Sequence, residues 1–376
     1  MERKDNITII LVFATLILGF MVWGLLETDK EFSENENRYL QEKPVFSLGN
    51  VLDGTFEKNF ENYISDQFPL REKFIGLKTK ACVSLNRKDI QGVYLGKDGY
   101  YIEKITEEKA TQGNFYENIN YIKDFYANLE EFIPKSKLSV MVVPTASLAL
   151  KEKLPDNAQT FDEATRIEKS KKVLNKYNFI DVREALKAAK KRNQIYYKTD
   201  HHWTTRGALA AYQKWKGNNF QPNLTAATKS FRGTLYSKVL LADSAYDTIE
   251  IIEDVKNTKT MLDNNKGLIY DMSALEKKDK YGVFFGGNYG KVVIEGLGPK
   301  KETLLVIKDS FANSLIPFAL RDYGKIIMID PRYYNGNVSD VVKDEGITEA
   351  LILYNTANLI TDNNLVKLSN QKEVLQ

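Results

Sequence analysis

The chain has 376 residues, 43% hydrophobic and 27% charged, which is enough for one large core or for a core domain with a substantial insertion. Its 53 basic and 50 acidic residues give a formal net charge of +3. Because these charges nearly balance, the composition does not indicate a basic surface for nucleic acid, and no nucleic-acid partner is expected. Cys82 is the only cysteine, which excludes an intramolecular disulfide, and we interpret it as a small, partly buried apolar residue.

The first predicted element is an apolar helix at the N-terminus. Residues 7–26 carry no charge, and a helix of that length covers roughly 30 Å, the thickness of the hydrocarbon core of a membrane. A cleaved signal peptide is the alternative, but the run is long for one and no small-x-small site follows it. We therefore predict an uncleaved single-pass anchor at residues 7–26.

The charges around this helix predict its orientation. Arg3 and Lys4 precede the apolar run, and the positive-inside rule keeps residues 1–6 in the cytoplasm. Everything after residue 30 is then expected outside the cell. An extracellular protein without a disulfide indicates a host that does not rely on oxidative folding, such as a Gram-positive bacterium.

Residues 27–110 are predicted to form a stalk followed by helices and a hairpin. The stalk, residues 27–50, is polar and charged. Residues 55–80 carry apolar side chains near helical spacing, and Pro69 divides them into two short helices. We interpret their aromatic stripe as core rather than as a sugar-binding platform. Residues 93–102 contain two β-prone runs around Asp98 and Gly99, the pattern of a hairpin.

Residues 111–376 alternate short apolar strands with helices, which favours an α/β three-layer fold with a mostly parallel sheet. Residues 220–300 interrupt this order and are interpreted as an irregular, mostly antiparallel, β-rich insertion. The predicted strands are 138–143, 179–182, 304–307, 325–329 and 350–354, with short β-like runs at 248–252, 283–285 and 291–294 inside the insertion. The predicted helices are 114–132, 165–176, 183–192, one from Thr204 or Thr205 through Trp215, and 312–320.

The only two histidines of the chain are adjacent, at His201 and His202. Histidine is the side chain whose ordinary pKa lies near neutral pH, so imidazole acid–base chemistry must involve this stretch. Asp200 lies two residues before His202, and residues i and i+2 share a face in an extended backbone. We therefore expect Asp200 and His202 to converge and His201 to point the other way, on a strand-to-helix connection.

Ser310 lies on a second predicted strand-to-helix turn. In open α/β sheets, sites gather outside the carboxyl ends of the strands, and this rule selects Thr145, Asp181, the Asp200–Trp203 stretch, Asp309 with Ser310, Arg332 and Asn355. A serine on such a turn suits a nucleophile, and its own backbone N–H can help to stabilise an oxyanion. The alternative is that Ser310 only caps the helix.

We predict a triad of Ser310 as nucleophile, His202 as general base and then acid, and Asp200 as the group that orients the imidazole. His201 as the base remains an alternative, as do a purely structural role for the stretch beside Trp203 and metal binding by Asp200 with both histidines. No further His or Cys cluster exists to complete a metal site, so neither a metal nor another cofactor is expected. Candidates for the oxyanion or substrate are Asn355, Asn288 and Arg332.

These residues carry a resemblance. Asp200-His201-His202-Trp203, followed by Lys308-Asp309-Ser310-Phe311-Ala312-Asn313, resembles the family named for its DHHW motif, which is similar to the SGNH-hydrolase-like proteins of bacterial polysaccharide O-acetylation, alginate included. Residues 37–40, 66–71, 92–99 and 330–333 extend the resemblance. It implies an SGNH-hydrolase-like fold, the triad named above, and a spectator role for His201, because the acetylation relatives show Asp-x-His-Trp.

The resemblance also implies a function and partners. The expected function is a membrane-anchored, extracytoplasmic O-acetyltransferase that acts on an exopolysaccharide through acyl-Ser310. Its expected partners are a membrane-bound O-acyltransferase as acetyl donor, the polysaccharide substrate and a polysaccharide synthase complex. A carbohydrate acetylesterase with the same triad is one alternative. A non-catalytic polysaccharide-binding or assembly protein, suggested by the 21 tyrosines, is another.

Overall fold

The apolar N-terminal run forms one long helix in the computed structural model, which describes residues 2–36 and 38–371. Asn37, part of one of the segments that carry the resemblance, lies outside the described residues. The stretch Asp5–Leu26 is long and apolar enough to cross a membrane, and none of it is buried. The described residues divide into two units, one up to Arg87 with Ser237–Ala242, and one of Lys88–Tyr236 with the residues from Asp243 onward.

The first unit is mainly helical. Its elements are α1 (Glu2–Leu26), β1 (Phe32–Ser33), β2 (Arg38–Tyr39), α2 (Leu48–Leu52), α3 (Thr55–Asp66) and α4 (Arg71–Ser84). The predicted break at Pro69 separates α3 from α4. The prediction of a core stripe was wrong: Phe60 is 44% exposed and Phe74 is 42% exposed. The rings pair with one another and with Phe20 instead.

The second unit is the α/β unit, and it contains the hairpin at 93–102 as well as the sheet. Its strands are β3 (Asp89–Ile90), β4 (Val93–Leu95), β5 (Tyr101–Glu103), β6 (Leu138–Val143), β7 (Asn178–Phe179), β8 (Leu224–Phe231), β9 (Asp247–Ile252), β10 (Lys259–Leu262), β11 (Asn265–Leu268), β12 (Lys291–Glu295), β13 (Thr303–Lys308), β14 (Lys325–Ile329) and β15 (Glu349–Asn355). The predicted division at residues 110 and 111 falls inside this unit.

Nine α-helices of the described residues accompany these strands, together with α11, whose last residues belong to the first unit. They are α5 (Glu107–Thr111), α6 (Phe115–Leu129), α7 (Ala146–Ala149), α8 (Glu163–Val173), α9 (Arg183–Ala189), α10 (Thr205–Lys216), α11 (Thr234–Val239), α12 (Ala312–Ala319), α13 (Val338–Asp344) and α14 (Thr356–Thr361). The short helices α5, α7, α11, α13 and α14 have no counterpart among the predicted elements.

An eight-stranded mixed sheet organises the second unit, in the order β11-β10-β12-β14-β13-β15-β6-β7. The five strands from β14 to β7 are parallel, as predicted, and β12, β10 and β11 continue the sheet antiparallel. Alternate residues of β13 enter different cores, Leu304 and Val306 on one face, Leu305 and Ile307 on the other. Helices α10 and α12 cover the first face, and α6 and α8 cover the second, which gives three layers.

The insertion is more closely integrated than the sequence indicates. Only β8 and β9 form a separate antiparallel pair, whereas β12 pairs with β14 over five positions from Lys291↔Ile329 to Glu295↔Lys325 and so covers an edge of the parallel sheet. The predicted strand at 283–285 was wrong, because a 3₁₀ turn and one isolated bridge, Tyr270↔Phe284, occupy this place. The carboxyl ends of β14, β13, β15 and β6 lie side by side and form the edge that carries the site.

Candidate active site

Asp200 and His202 lie on a tight loop between α9 and α10. Asp200 Oδ1 accepts hydrogen bonds from the backbone N–H of His202 at 2.9 Å and from its Nδ1–H at 2.6 Å. The first of these is an Asx turn, which replaces the extended backbone that the spacing predicts. Tyr196 and Trp203 form a single bridge that closes the loop. Asp200 and His202 thus converge as expected, but through a turn rather than a strand.

The orientation predicted for His201 was wrong. Its ring lies against that of His202, with centroids 3.8 Å apart and planes tilted by 37°. Adjacent side chains point to opposite sides only in an extended strand, and the Asx turn at Asp200 removes that condition. His201 Nδ1 lies 2.8 Å from Thr234 Oγ1, and the side chain is about one-third exposed (31%).

A loop of the insertion holds the second oxygen of Asp200. Asp200 Oδ2 accepts the backbone N–H of Thr234 at 2.8 Å and its hydroxyl at 3.1 Å. Gly233 allows this approach, since a Cβ there would lie 2.5 Å from Asp200 Cγ and closer still to its Cβ and Oδ2. Burial opposes the ionisation of Asp200, but the two histidines and the hydrogen bonds from His202 and Thr234 outweigh it and lower the pKa of the carboxyl.

Ser310 lies on the turn between β13 and α12, and Asp309 shapes that turn. Asp309 Oδ1 accepts the backbone N–H of Phe311 at 2.9 Å, and Oδ2 accepts both the N–H of Asn355 and the side-chain amide of Asn358 at 2.7 Å. These bonds tie the end of β13 to the end of β15. Among the described residues the backbone N–H of Ser310 has no acceptor, so it remains available for an oxyanion.

The Ser310 hydroxyl lies within hydrogen-bond reach of the imidazole. Ser310 Oγ is 2.8 Å from His202 Nε2, and both residues are buried. Because the carboxylate of Asp200 accepts the Nδ1 proton, Nε2 carries the lone pair that accepts from Ser310. The helix-cap interpretation of Ser310 does not hold, since Phe311 occupies the N-cap position of α12 and no side chain caps it.

Burial and neighbouring positive charge keep this imidazole neutral. The pKa of His202 is lowered to about 4, chiefly by burial and also by a protonated His201 and the charge of Arg332, while Asp200 opposes them. Neutral imidazole is the form that accepts a proton from a serine hydroxyl. The arrangement can therefore support nucleophilic attack by Ser310 at neutral pH.

Two aromatic residues fix the imidazole and the serine turn. The Tyr281 ring stacks on His202 with centroids 3.8 Å apart and planes within 8°, and its hydroxyl donates to the Ser310 carbonyl at 3.2 Å. Trp203 Nε1 donates to the Phe311 carbonyl at 3.0 Å and to Ser314 Oγ at 2.9 Å. Sequence reasoning missed Tyr281, Thr234 and Gly233, which lie in the weakly patterned insertion, and it did not foresee the hydrogen bonds of Trp203.

The three remaining candidates differ in their surroundings. The side-chain amide of Asn355 donates to the carbonyls of Val143 and Pro144, both at 3.2 Å, which occupies both N–H groups and leaves neither for an oxyanion. Asn288 is exposed, and its oxygen accepts from Asn313 at 3.3 Å. These contacts make Asn355 a support for the loop rather than an oxyanion donor.

Arg332 is the candidate whose charge reaches the imidazole. It forms a two-bond ion pair with the buried Asp330, from Nε at 2.8 Å and Nη2 at 2.7 Å, and Asp330 also faces the buried Lys308 at 3.4 Å. Its Nη1 has no acceptor among the described residues. The guanidinium charge lowers the pKa of His202, so Arg332 acts electrostatically on the site.

The same stretch brings together three possible metal ligands. One ligand atom each of Asp200, His201 and His202 lies within 4.8 Å of the others. Both oxygens of Asp200 already accept hydrogen bonds, and His202 Nδ1 is among the donors. Structural zinc sites take four protein ligands and catalytic ones three with open access, so the bonding within this group fits a triad better than a metal site.

Comparisons with known proteins agree with this architecture. Residues 93–217 match the family described as "SGNH hydrolase-like domain, acetyltransferase AlgX". The chain is similar to SGNH hydrolase-like proteins. The match spans the Asp200–Trp203 stretch and ends well before Ser310.

Relatives and solved structures extend the likeness. The chain is 27% identical over 218 residues to the probable alginate O-acetylase AlgJ of Pseudomonas syringae pv. tomato, a match that covers 57% of this chain and 52% of that protein. The chain thus spans about half the length of this curated relative.

Two solved structures share the fold. A DHHW family protein from Eubacterium siraeum matches 75% of this chain and 96% of that chain, with a TM-score of 0.61 and 21% identity. PatB1 of Bacillus cereus with a sulfonyl adduct matches 72% of this chain and 96% of that chain, with a TM-score of 0.58 and 22% identity. The SGNH-hydrolase-like fold and the resemblance predicted from the two motifs are confirmed.

Proposed function

We propose that this chain is an O-acetyltransferase that acetylates an extracellular polysaccharide through an acyl-Ser310 intermediate. The proposal depends on one observation, the pair of hydrogen bonds that link Asp200 to His202 at 2.6 Å and His202 to Ser310 at 2.8 Å. The likeness to an AlgX-type domain and to a probable alginate O-acetylase supports acetyl transfer to a polysaccharide.

The chemistry follows from the contacts in two half-reactions. In the first, Ser310 Oγ attacks the acetyl carbonyl of the donor while His202 Nε2 takes the hydroxyl proton, and His202 then returns this proton to the departing group. In the second, a sugar hydroxyl attacks the acetyl-serine, His202 takes its proton, and the proton passes to Ser310 Oγ as the C–O bond to serine breaks. Asp200 stabilises the imidazolium in both halves.

The oxyanion of each tetrahedral intermediate needs hydrogen-bond donors. The free N–H of Ser310 at the start of α12 is one. Arg332 supplies a positive charge near the imidazole, and we assign it to the oxyanion or to the acyl carbonyl. Asn288, an exposed side chain next to the buried Asn313, is assigned to the substrate instead.

Location and partners follow from the first helix. We propose that α1 anchors the chain, that residues 1–6 are cytoplasmic, and that the catalytic part, residues 111–376, works outside the cell beside the polymer. A membrane-bound O-acyltransferase would supply acetyl groups from the cytoplasmic side, within a polysaccharide synthase complex. The Gram-positive host stays a prediction that rests on the lone Cys82.

The first experiment follows acetyl groups in the purified chain. A chromogenic acetyl ester serves as donor, and mass spectrometry identifies acetylated peptide at Ser310 and acetylated oligosaccharide in solution. Ser310→Ala should abolish both products, whereas Ser273→Ala, which removes an exposed serine outside the site, should change neither. Acetyl transfer that survives Ser310→Ala would contradict the proposal.

The same experiment separates the alternative activities. If acetyl-Ser310 forms but acetate is the sole product with every oligosaccharide, the chain is an acetylesterase with the same triad. If no acetyl-Ser310 forms, the non-catalytic polysaccharide-binding interpretation gains, and Asp200→Ala and His202→Ala should then leave polymer acetylation in cells unchanged.

A further inference from the structure

His201 takes no part in the triad, yet it is the histidine that faces open space. It lines a small cavity of about 30 Å³ in the second unit. A water-sized group needs at least roughly 10–15 Å³ measured in this way, so the cavity accepts about two such groups and not a sugar ring. The other lining residues are Glu103, Thr145, Ala146, Ser147, Leu235, Asn355, Ala357 and Asn358.

The hydrogen bonds around Thr234 determine which nitrogen of His201 remains available as an acceptor. The Thr234 hydroxyl lies between Asp200 Oδ2, at 3.1 Å, and His201 Nδ1, at 2.8 Å. A carboxylate can only accept, and hydrogen bonds to charged acceptors are stronger than those to neutral ones, so the hydroxyl proton goes to Asp200. Its oxygen then accepts Nδ1–H from His201, which leaves Nε2 as an acceptor with no donor among the described residues.

Other lining residues offer acceptors as well. The side-chain amide N–H of Asn358 donates to Asp309, and no donor in the described part of the chain reaches the side-chain oxygen Oδ1 of Asn358. Thr145 Oγ1 and Ser147 Oγ are 2.7 Å apart, and the buried Glu163 holds Thr145. A cavity of this size with acceptors among its lining residues suits a small hydrogen-bond donor, such as a single hydroxyl group of a ligand.

We propose that His201 Nε2 and this cavity bind a sugar hydroxyl next to the one that receives the acetyl group, and so select acceptors with a second hydroxyl. This inference rests on the proposed function. It makes His201 a substrate-binding residue rather than a spectator. Because the His201 ring lies against His202, the two imidazoles would address neighbouring hydroxyls of one acceptor, His201 by accepting a hydrogen bond and His202 by removing the reacting proton.

The test measures how the acetyl group of acetyl-Ser310 is distributed among small acceptor molecules. It therefore does not require the natural polysaccharide to be identified. The purified full-length chain receives a chromogenic acetyl ester together with ethylene glycol or methanol, which differ in the second hydroxyl. The yields of glycol monoacetate, methyl acetate and free acetate give the partition. This ratio does not depend on how much of a variant is folded, because every product comes from the same acyl-enzyme.

Wild type should prefer ethylene glycol to methanol by about tenfold, the worth of roughly one hydrogen bond. His201→Ala should remove most of this preference while the rate of ester cleavage changes less. His201→Gln should retain part of it, because the glutamine amide oxygen can reach the place of Nε2.

Three results would overturn the inference. These are equal use of both alcohols by wild type, an unchanged partition in His201→Ala with ester cleavage retained, and an unchanged partition in that variant with ester cleavage lost, which would mean that His201 only supports His202. Absence of any acetyl-Ser310 in wild type would instead contradict the proposed function itself.

Discussion

Gly233→Ala should impair catalysis without touching any triad residue. The added Cβ would lie 2.5 Å from Asp200 Cγ, whereas ordinary van der Waals contact begins near 3.4 Å, so the loop or the carboxylate must move by about 1 Å. Asp200 cannot move freely, because it accepts four hydrogen bonds from His202 and Thr234. Either movement breaks the Thr234 bonds or tilts the imidazole away from Ser310.

The expected magnitude follows from this displacement. A misplacement of about 1 Å in catalytic groups costs on the order of 100-fold in rate, and overpacking a buried site costs about 1–3 kcal/mol of stability. We therefore expect a fall of about 100-fold in kcat for chromogenic acetate hydrolysis, measured per mole of folded protein, with a lower urea midpoint.

Gly282→Ala provides the matched control. A Cβ at Gly282 would meet the Ala274 Cβ at 3.4 Å, and this glycine belongs to the same insertion. It should leave kcat within about twofold, as expected for a substitution at ordinary contact distance. If Gly233→Ala kept the wild-type kcat, the inference that the insertion holds Asp200 in its working position would be wrong.

Three further predictions concern the imidazole and the serine turn. Since burial and positive charge lower the pKa of His202 to about 4, the rate of ester cleavage should fall only as the pH drops through about 4. Arg332→Gln removes a positive charge and should shift this acid limb of the pH–rate profile to higher pH. A wild-type acid limb near pH 6.5 would contradict the argument. Asp309→Asn should cost about 2–4 kcal/mol in urea unfolding, because one carbonyl oxygen replaces a carboxylate that accepts three hydrogen bonds; an unchanged midpoint would refute this. Trp203→Phe should lower the free energy of unfolding by about 1–3 kcal/mol and slow acetylation of Ser310, because it leaves the Phe311 carbonyl without the indole donor. A wild-type rate of Ser310 acetylation in stopped-flow measurements would contradict this prediction.

The periodic parts of the fold could be predicted from the sequence. Continuous apolar runs such as 304–307 and 350–354 indicated buried parallel strands, and each lies in the parallel part of the sheet. The antiparallel extension could not be foreseen, because β10, β11 and β12 are short and no pattern in them distinguishes an added sheet edge from a separate hairpin.

The candidate site shows the same division. Asp200 and His202 could be selected because histidine is rare in this chain, and Ser310 could be selected because it follows a buried strand at the edge where the parallel strands end. The position of His201 could not be deduced, since it depends on an Asx turn rather than on strand geometry. Thr234, Gly233 and Tyr281 gave no local signal, because their part in the site arises only when the insertion folds over the Asp200 loop.

The order of strands in the sheet has a consequence for how the protein matures. β15, the last strand of the described chain, lies between β13 and β6 and pairs with both. Until residues 349–355 have been synthesised, the two halves of the parallel sheet have no shared partner, and Asp309 lacks its bond to the Asn355 N–H. A chain cut short before these residues therefore cannot complete the serine turn, so an unfinished copy does not hold Ser310 in the position that it has in the complete fold.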